Sequence, residues 1–133
     1  MDFVALNKSV LSDSEQGKYK ANKANDGNIS TTWIAKDNEN GHFWQVDLGE
    51  KYNIKKIRIN FLEEINYLYV IEASNDGEQW DLILNRTGQV ETNKVRIEEL
   101  NNKARYIRLK FSGTTPVSNI GLVSFEVYGE EEK

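Results

Sequence analysis

An antiparallel β-sandwich is the fold class this sequence predicts, and three observations predict it. Apolar residues recur at a period of two. Ile57, Ile59 and Phe61 alternate with Lys56, Arg58 and Asn60; Ile107, Leu109 and Phe111 with Tyr106, Arg108 and Lys110; Val123, Phe125 and Val127 with Ser124, Glu126 and Tyr128. Turn chemistry punctuates these runs at Asp26-Gly27, Leu48-Gly49-Glu50, Asn75-Asp76-Gly77 and Ser112-Gly113. No segment of about ten residues or more carries an apolar stripe of helical period.

In chain order, residues 19–24 form the best helical fragment, about one turn. Strands are predicted at 43–48, 57–61, 68–74, 80–84, 94–97, 107–111 and 123–127. Asn75-Asp76-Gly77 joins two of them as a hairpin, with the glycine free to take positive φ. Each strand has one buried and one wetter face, so two sheets packed face to face are the economical arrangement. Residues 1–129 read as one domain. The ending Glu130-Glu131-Glu132-Lys133 reads as a solvated tail or the start of a linker.

The chain has 133 residues, with 17 basic and 21 acidic side chains, one histidine, no cysteine and a net charge of -4. That length suits a single core. The absence of cysteine excludes a disulfide framework, a thiolate zinc site and a cysteine nucleophile. His42 alone cannot build a histidine-rich metal cluster, and a Ser-His-Asp triad would rest on it entirely. A mildly negative balance argues against nucleic acid as partner. No apolar run is long enough to span a membrane and no leader is visible, which fits either a cytoplasmic protein or a module of a longer secreted one.

The 3 Trp, 6 Tyr and 5 Phe favour a binding module over an enzyme. A glycosidase needs two carboxylates flanking one bond. Glu63 and Glu64 are adjacent, so on a strand they point to opposite faces. Glu98-Glu99 and the terminal glutamates read as solvated charge. The expectation is therefore a protein without catalytic residues.

Four blocks, in order, carry a family resemblance: Ala24-Asn25-Asp26-Gly27-Asn28-Ile29-Ser30-Thr31-Thr32-Trp33; Trp44-Gln45-Val46-Asp47-Leu48-Gly49; Ile71-Glu72-Ala73-Ser74-Asn75-Asp76-Gly77-Glu78-Gln79-Trp80; and Ala104-Arg105-Tyr106-Ile107-Arg108-Leu109 with Phe125-Glu126-Val127-Tyr128-Gly129. The chain thereby resembles the coagulation factor V/VIII type C (discoidin) domain, and within it the bacterial family 32 carbohydrate-binding modules. The resemblance implies an all-β jelly-roll sandwich, a structural calcium ion and a sugar site built by loops at one end. It further implies a non-catalytic module of a larger secreted or cell-surface bacterial glycoside hydrolase, with a carbohydrate ligand; a monomer without nucleic-acid or membrane partner is the accompanying expectation. All three tryptophans, Trp33, Trp44 and Trp80, fall in blocks that form the core of the family.

Residues 26–31 crowd carboxylate, amide and hydroxyl oxygens into a glycine-containing turn, the hard-oxygen chemistry that Ca²⁺ requires. An Asx-turn without metal is the plain alternative. By resemblance the ligands are the side chains of Asp26 and Thr31 and the carbonyls of Lys23, Asn28 and Thr31. The family usually completes the shell with a glutamate at the place held here by Ser124, and Glu126, of the same strand parity, is the available substitute.

Sugar binding needs an exposed aromatic face and planar polar groups for the hydroxyls. Loop 36–42 offers Asp37, Asn38, Glu39, Asn40 and His42. Loop 62–67 offers Glu63, Glu64, Asn66 and Tyr67, while Arg86 and Ser118-Asn119 stand on later connections. The expected site is Tyr67, Arg86, Asn66, Glu64, Asp37 and Asn119, with Tyr67 as platform and Arg86 as forked donor. Tyr67 reads equally well as the first inward residue of its strand. Galactose-binding members commonly place a histidine directly after the tryptophan of the calcium block. Here that residue is Ile34, which turns the expectation toward terminal residues of mannan or β-glucan. The alternative is a discoidin-like adhesion or phospholipid-binding module, which the polar, acidic loops favour less.

Overall fold

The computed structural model describes residues 2–112 and 119–131. Its elements are β1 (Asp2–Phe3), β2 (Ser9–Ser12), a 3-10 turn η1 (Ala21–Ala24), β3 (Trp33–Ile34), β4 (Phe43–Phe61), β5 (Tyr69–Ser74), β6 (Asp81–Asn85), β7 (Val95–Phe111) and β8 (Gly121–Glu131). Every pairing among the strands is antiparallel, in the order β1-β8-β4-β7-β5-β6, with β2 added to β4 and β3 to β8. The all-β class expected from the periodicity is the one observed.

Two strands are long enough to belong to both layers. The first part of β4, residues 43–47, lies between β2 and the end of β7, beyond which β5 and β6 continue the layer. Its second part, residues 52–60, lies between the start of β7 and β8. The sheet therefore curls over itself at residues 48–51, and the predicted turn at Leu48-Gly49-Glu50 is a corner inside a 19-residue strand. Gly49 takes φ 87°, a value that costs a side chain and suits glycine. In the same way, the predicted strands 94–97 and 107–111 are two ends of β7. At the C-terminus β8 runs on through Glu130, opposite Asn53, to Glu131, opposite Tyr52. The predicted turn at Ser112-Gly113 runs into residues outside those described.

Between the layers the alternating apolar residues meet. Trp44 packs on Phe125 with ring centroids 4.9 Å apart, Phe61 stacks on Tyr67 at 4.6 Å, and Trp33 meets Phe111 at 6.2 Å. Trp33 and Trp44 are fully buried, and each indole N–H finds a carbonyl at 2.9 Å, Ser14 and Ala21 respectively. Trp80 departs from the core expectation. It is half-buried on the outer face, over the Arg108 guanidinium at 3.9 Å and edge-on to Tyr106.

Glu98 is a second correction. Pairing with β4 sets Arg96 opposite Ile59, and because Ile59 faces the core, Arg96 and Glu98 do too, while Val95 and Ile97 face outward. The buried Arg96 is compensated by carbonyls of Ile65, Tyr67, Glu91 and Asn93.

Candidate functional site

Several loops close over one end of the sandwich, held together by backbone hydrogen bonds. Ala35 N–H donates to the Ile120 carbonyl at 2.8 Å, Leu62 N–H to Gly121 at 3.2 Å, Gly41 N–H to Phe111 at 3.0 Å and Ser112 N–H to Leu68 at 2.8 Å. Segments 35–42, 62–68 and 119–120 thus share this end, together with residues 12–15 of the β2–η1 connection, whose Ser14 hydroxyl accepts from Lys36 N–H. Asn119 N–H donates to Glu63 Oε2 at 3.0 Å, which ties the last loop to the 62–68 loop.

Of the expected sugar-site residues, this end brings together Asp37, Glu64, Asn66 and Asn119. Asp37 is partly exposed, and its Oδ1 accepts from His42 Nε2 at 2.6 Å and from Glu39 N–H at 3.1 Å. These bonds hold the carboxyl below its usual range, the histidine bond contributing most. Glu64 and Asn119 are exposed. Asn66 is committed to the β6–β7 connection, its Oδ1 accepting from Glu91 N–H at 3.0 Å.

The leading pair takes a different role. Tyr67 is fully buried; its ring lies against Phe61 and Phe111, and its hydroxyl donates to the Asn119 carbonyl at 2.7 Å. Burial raises its pKa well above that of an ordinary phenol. A ring with no exposed face cannot serve as a platform, so Tyr67 is the inward residue that the strand parity also allowed. Arg86 grips Glu98 with two bonds of 2.9 and 2.8 Å, and Tyr69 donates to the same carboxylate at 2.8 Å. The guanidinium fork is therefore occupied by an internal acid. Glu98, read from sequence as solvated, is the buried partner that holds it.

In the proposed metal turn Asp26 Oδ1 accepts from Asn28 N–H at 3.0 Å, the bond of an Asx-turn. The Thr31 hydroxyl lies 2.6 Å from Asp26 Oδ2, 2.9 Å from the Asn28 carbonyl and 3.3 Å from the Lys23 carbonyl. The hydroxyl thus sits among one carboxylate and two carbonyl oxygens, the hard-oxygen chemistry that Ca²⁺ takes. No group of three or more His, Cys, Asp or Glu side chains able to hold a metal occurs among the described residues, so such a site draws on carbonyls and the hydroxyl. Glu126 does not join it. Its carboxylate binds Arg58 on the neighbouring strand at 3.1 Å and accepts from the Tyr128 hydroxyl. Ser124 of β8, opposite Asn60 of β4, buries its hydroxyl oxygen without a hydrogen-bond partner among the described residues.

Sequence reasoning missed Asp13. Its carboxylate lies 2.6 Å from His42 Nδ1 and accepts from Phe43 N–H at 2.8 Å. Nothing local marks it. Only the register of β2 on β4, Ser12 opposite Trp44, carries it to His42.

Several solved structures share this architecture. Chitosan-binding module 1 of a chitosanase/glucanase from Paenibacillus sp. IK-5 superposes with a TM-score of 0.88 at 24% identity, covering 97% of this chain and all of that one (100%). Module 2 of the same enzyme, solved with chitotriose, gives 0.86 at 24% identity over 95% and 99% of the two chains. The module CpGH89CBM32-6 from Clostridium perfringens gives 0.80 at 23% identity over 96% and 99%. At these identities the likeness is one of fold. No curated protein sequence matches the chain. The sequence pattern of the F5/8 type C domain, by contrast, matches residues 8–125, and the chain belongs to that family.

Proposed function

We propose that this chain is a non-catalytic carbohydrate-binding module of a larger secreted bacterial glycoside hydrolase, and that its ligand is a glycan containing amino sugar. The observation that carries the reading is the acidic character of the loop end. Asp37, Glu39, Glu63 and Glu64 stand on two loops tied to neighbouring residues 120 and 121 at that end, with Lys36 and His42 beside them. Carboxylates accept hydrogen bonds from sugar hydroxyls and make stronger, charge-assisted ones with an ammonium group. The modules from the Paenibacillus enzyme, which share the fold over nearly the whole chain, are named as chitosan-binding.

Titration calorimetry with chitotriose, its N-acetylated form, mannotriose, a β-glucan trisaccharide and galactose tests this directly. The expected ranking puts chitotriose first, with modest affinity, because one small open site repays association costs only slightly. Preference for mannotriose or the glucan would return the specificity to the neutral β-glycans that Ile34 suggests, a buried side chain unable to hydrogen-bond a hydroxyl. Silence across the panel removes the carbohydrate reading. A phospholipid role finds less support, since an acidic loop end repels anionic headgroups.

The same reading includes a structural calcium ion held by the side chains of Asp26 and Thr31 and the carbonyls of Lys23, Asn28 and Thr31. The convergence of these oxygens on the Thr31 hydroxyl supports it. The ion would brace the turn that leads into β3.

A further inference from the structure

The chain has a single histidine, and both of its ring nitrogens face carboxylates. His42 Nδ1 lies 2.6 Å from Asp13 Oδ2 and Nε2 lies 2.6 Å from Asp37 Oδ1, with the ring almost completely buried. A neutral imidazole has one N–H donor, and an ionised carboxylate can only accept. Two such bonds therefore require the imidazolium form. The carboxylates are themselves anchored. Asp13 Oδ1 receives Phe43 N–H at the start of β4, and Asp37 Oδ1 receives Glu39 N–H within the 35–42 loop. Ser14, beside Asp13, has its hydroxyl 3.4 Å from Nδ1 and receives Lys36 N–H from the other loop. The cluster thus bolts the 35–42 loop to the β2–η1 connection at the end proposed to bind sugar.

We propose that His42 is a positioning residue of the ligand-binding end: as an imidazolium it clamps Asp13 and Asp37, and this clamp fixes the 35–42 loop and aims the Asp37 carboxylate. In its sugar-binding aspect the inference rests on the function proposed above; the clamp itself does not. Loss of the proton leaves two carboxylates competing for one N–H, with the net charge of the cluster falling from -1 to -2, so one bridge must open. Burial opposes the charge on His42, but the hydrogen bonds to Asp13 and Asp37 outweigh it and raise its proton affinity above the ordinary histidine. Lys36 acts on Asp37, Lys110 of β7 stands opposite Phe43, and the Arg108 guanidinium lies over the Phe43 ring at 5.5 Å. A group raised in the folded state contributes stability that is complete below the unfolded value of 6.5 and is lost as pH climbs through the folded one.

One experiment has two arms. Ring ¹⁵N and backbone amide NMR, followed from about pH 5 to 10, reads the clamp without any sugar. The expected result is two protonated ring nitrogens at neutral pH, a midpoint above about 6.5, and Glu39 and Phe43 amides that move with the ring. A single neutral tautomer at pH 6, or amides indifferent to the ring, overturns the clamp even if a glycan binds. In the second arm, chitotriose affinity is compared across pH between the wild type and His42→Gln, the ratio cancelling the titration of the sugar itself. The wild type is expected to bind about tenfold tighter at low pH, converging on the variant above the ring midpoint. Parallel profiles overturn the positioning role. Silence of chitotriose toward both proteins, with the amides tracking the ring, supports the clamp and removes the amino-sugar reading alone. Should His42→Gln not fold, Asp37→Asn replaces it: a lowered ring midpoint is expected, and an unmoved one overturns the pairing.

Discussion

The Tyr67 hydroxyl reaches the Asn119 carbonyl from a ring stacked on Phe61, so this side chain holds the last loop from inside the core. Tyr67→Phe is expected to lose about 1 kcal/mol of stability, and Tyr67→Ala about 3 to 5 kcal/mol through the cavity it leaves. Urea denaturation measures both. A Tyr67→Ala protein of unchanged stability that has lost sugar affinity would restore the platform role. Arg86 is read the same way. Arg86→Ala strands a buried Glu98 without its cation, at about 3 kcal/mol, and Glu98→Gln added to that variant is expected to recover part of the loss. At this scale residue type alone left roles open. A tyrosine and an arginine fit a sugar site or a core equally, and what decided between them was the presence of Phe61 and Glu98 within reach.

Among the elements, β4 and β7 do the most to place the site, since each crosses from one layer to the other and ends under the loops. Their halves were legible as four short strands, because alternation marks faces. Continuity was not legible: a glycine between two apolar runs looks the same whether it turns the chain or bends it. β3 is a two-residue strand that depends on a close approach to β8. A side chain added at Gly121 would place its Cβ 2.3 Å from the Trp33 carbonyl oxygen. Gly121→Ala is therefore expected to displace β3, costing about 1 to 3 kcal/mol and accelerating hydrogen exchange at the Ala35 amide, which bonds Ile120 across the same seam. An unchanged melting temperature and an unchanged Ala35 amide would show that the pairing yields freely.

For the whole molecule, the calcium proposal makes a prediction about melting. An ion bound only by the folded state stabilises it by mass action, about 2.7 kcal/mol at a hundredfold excess over Kd, or roughly 10 °C in a domain of this size. Scanning calorimetry with Ca²⁺ and with EDTA should show that difference, and Asp26→Ala should abolish it. Identical melting curves would reduce the turn to an Asx-type loop.

The sequence by itself determined the fold class, the family and the oxygen-rich turn. Each is written in local pattern: period-two alternation chooses strand and face, and contiguous blocks such as residues 24–33 carry the family signal. Only the tertiary structure decided which polar groups find each other. Glu98 went inside because Ile59 had to, and Asp13 met His42 across 29 residues because β2 adds to β4 in one register. Burial, and with it the strength of every charge contact, depends on partners distant in the chain, so no local pattern encodes it.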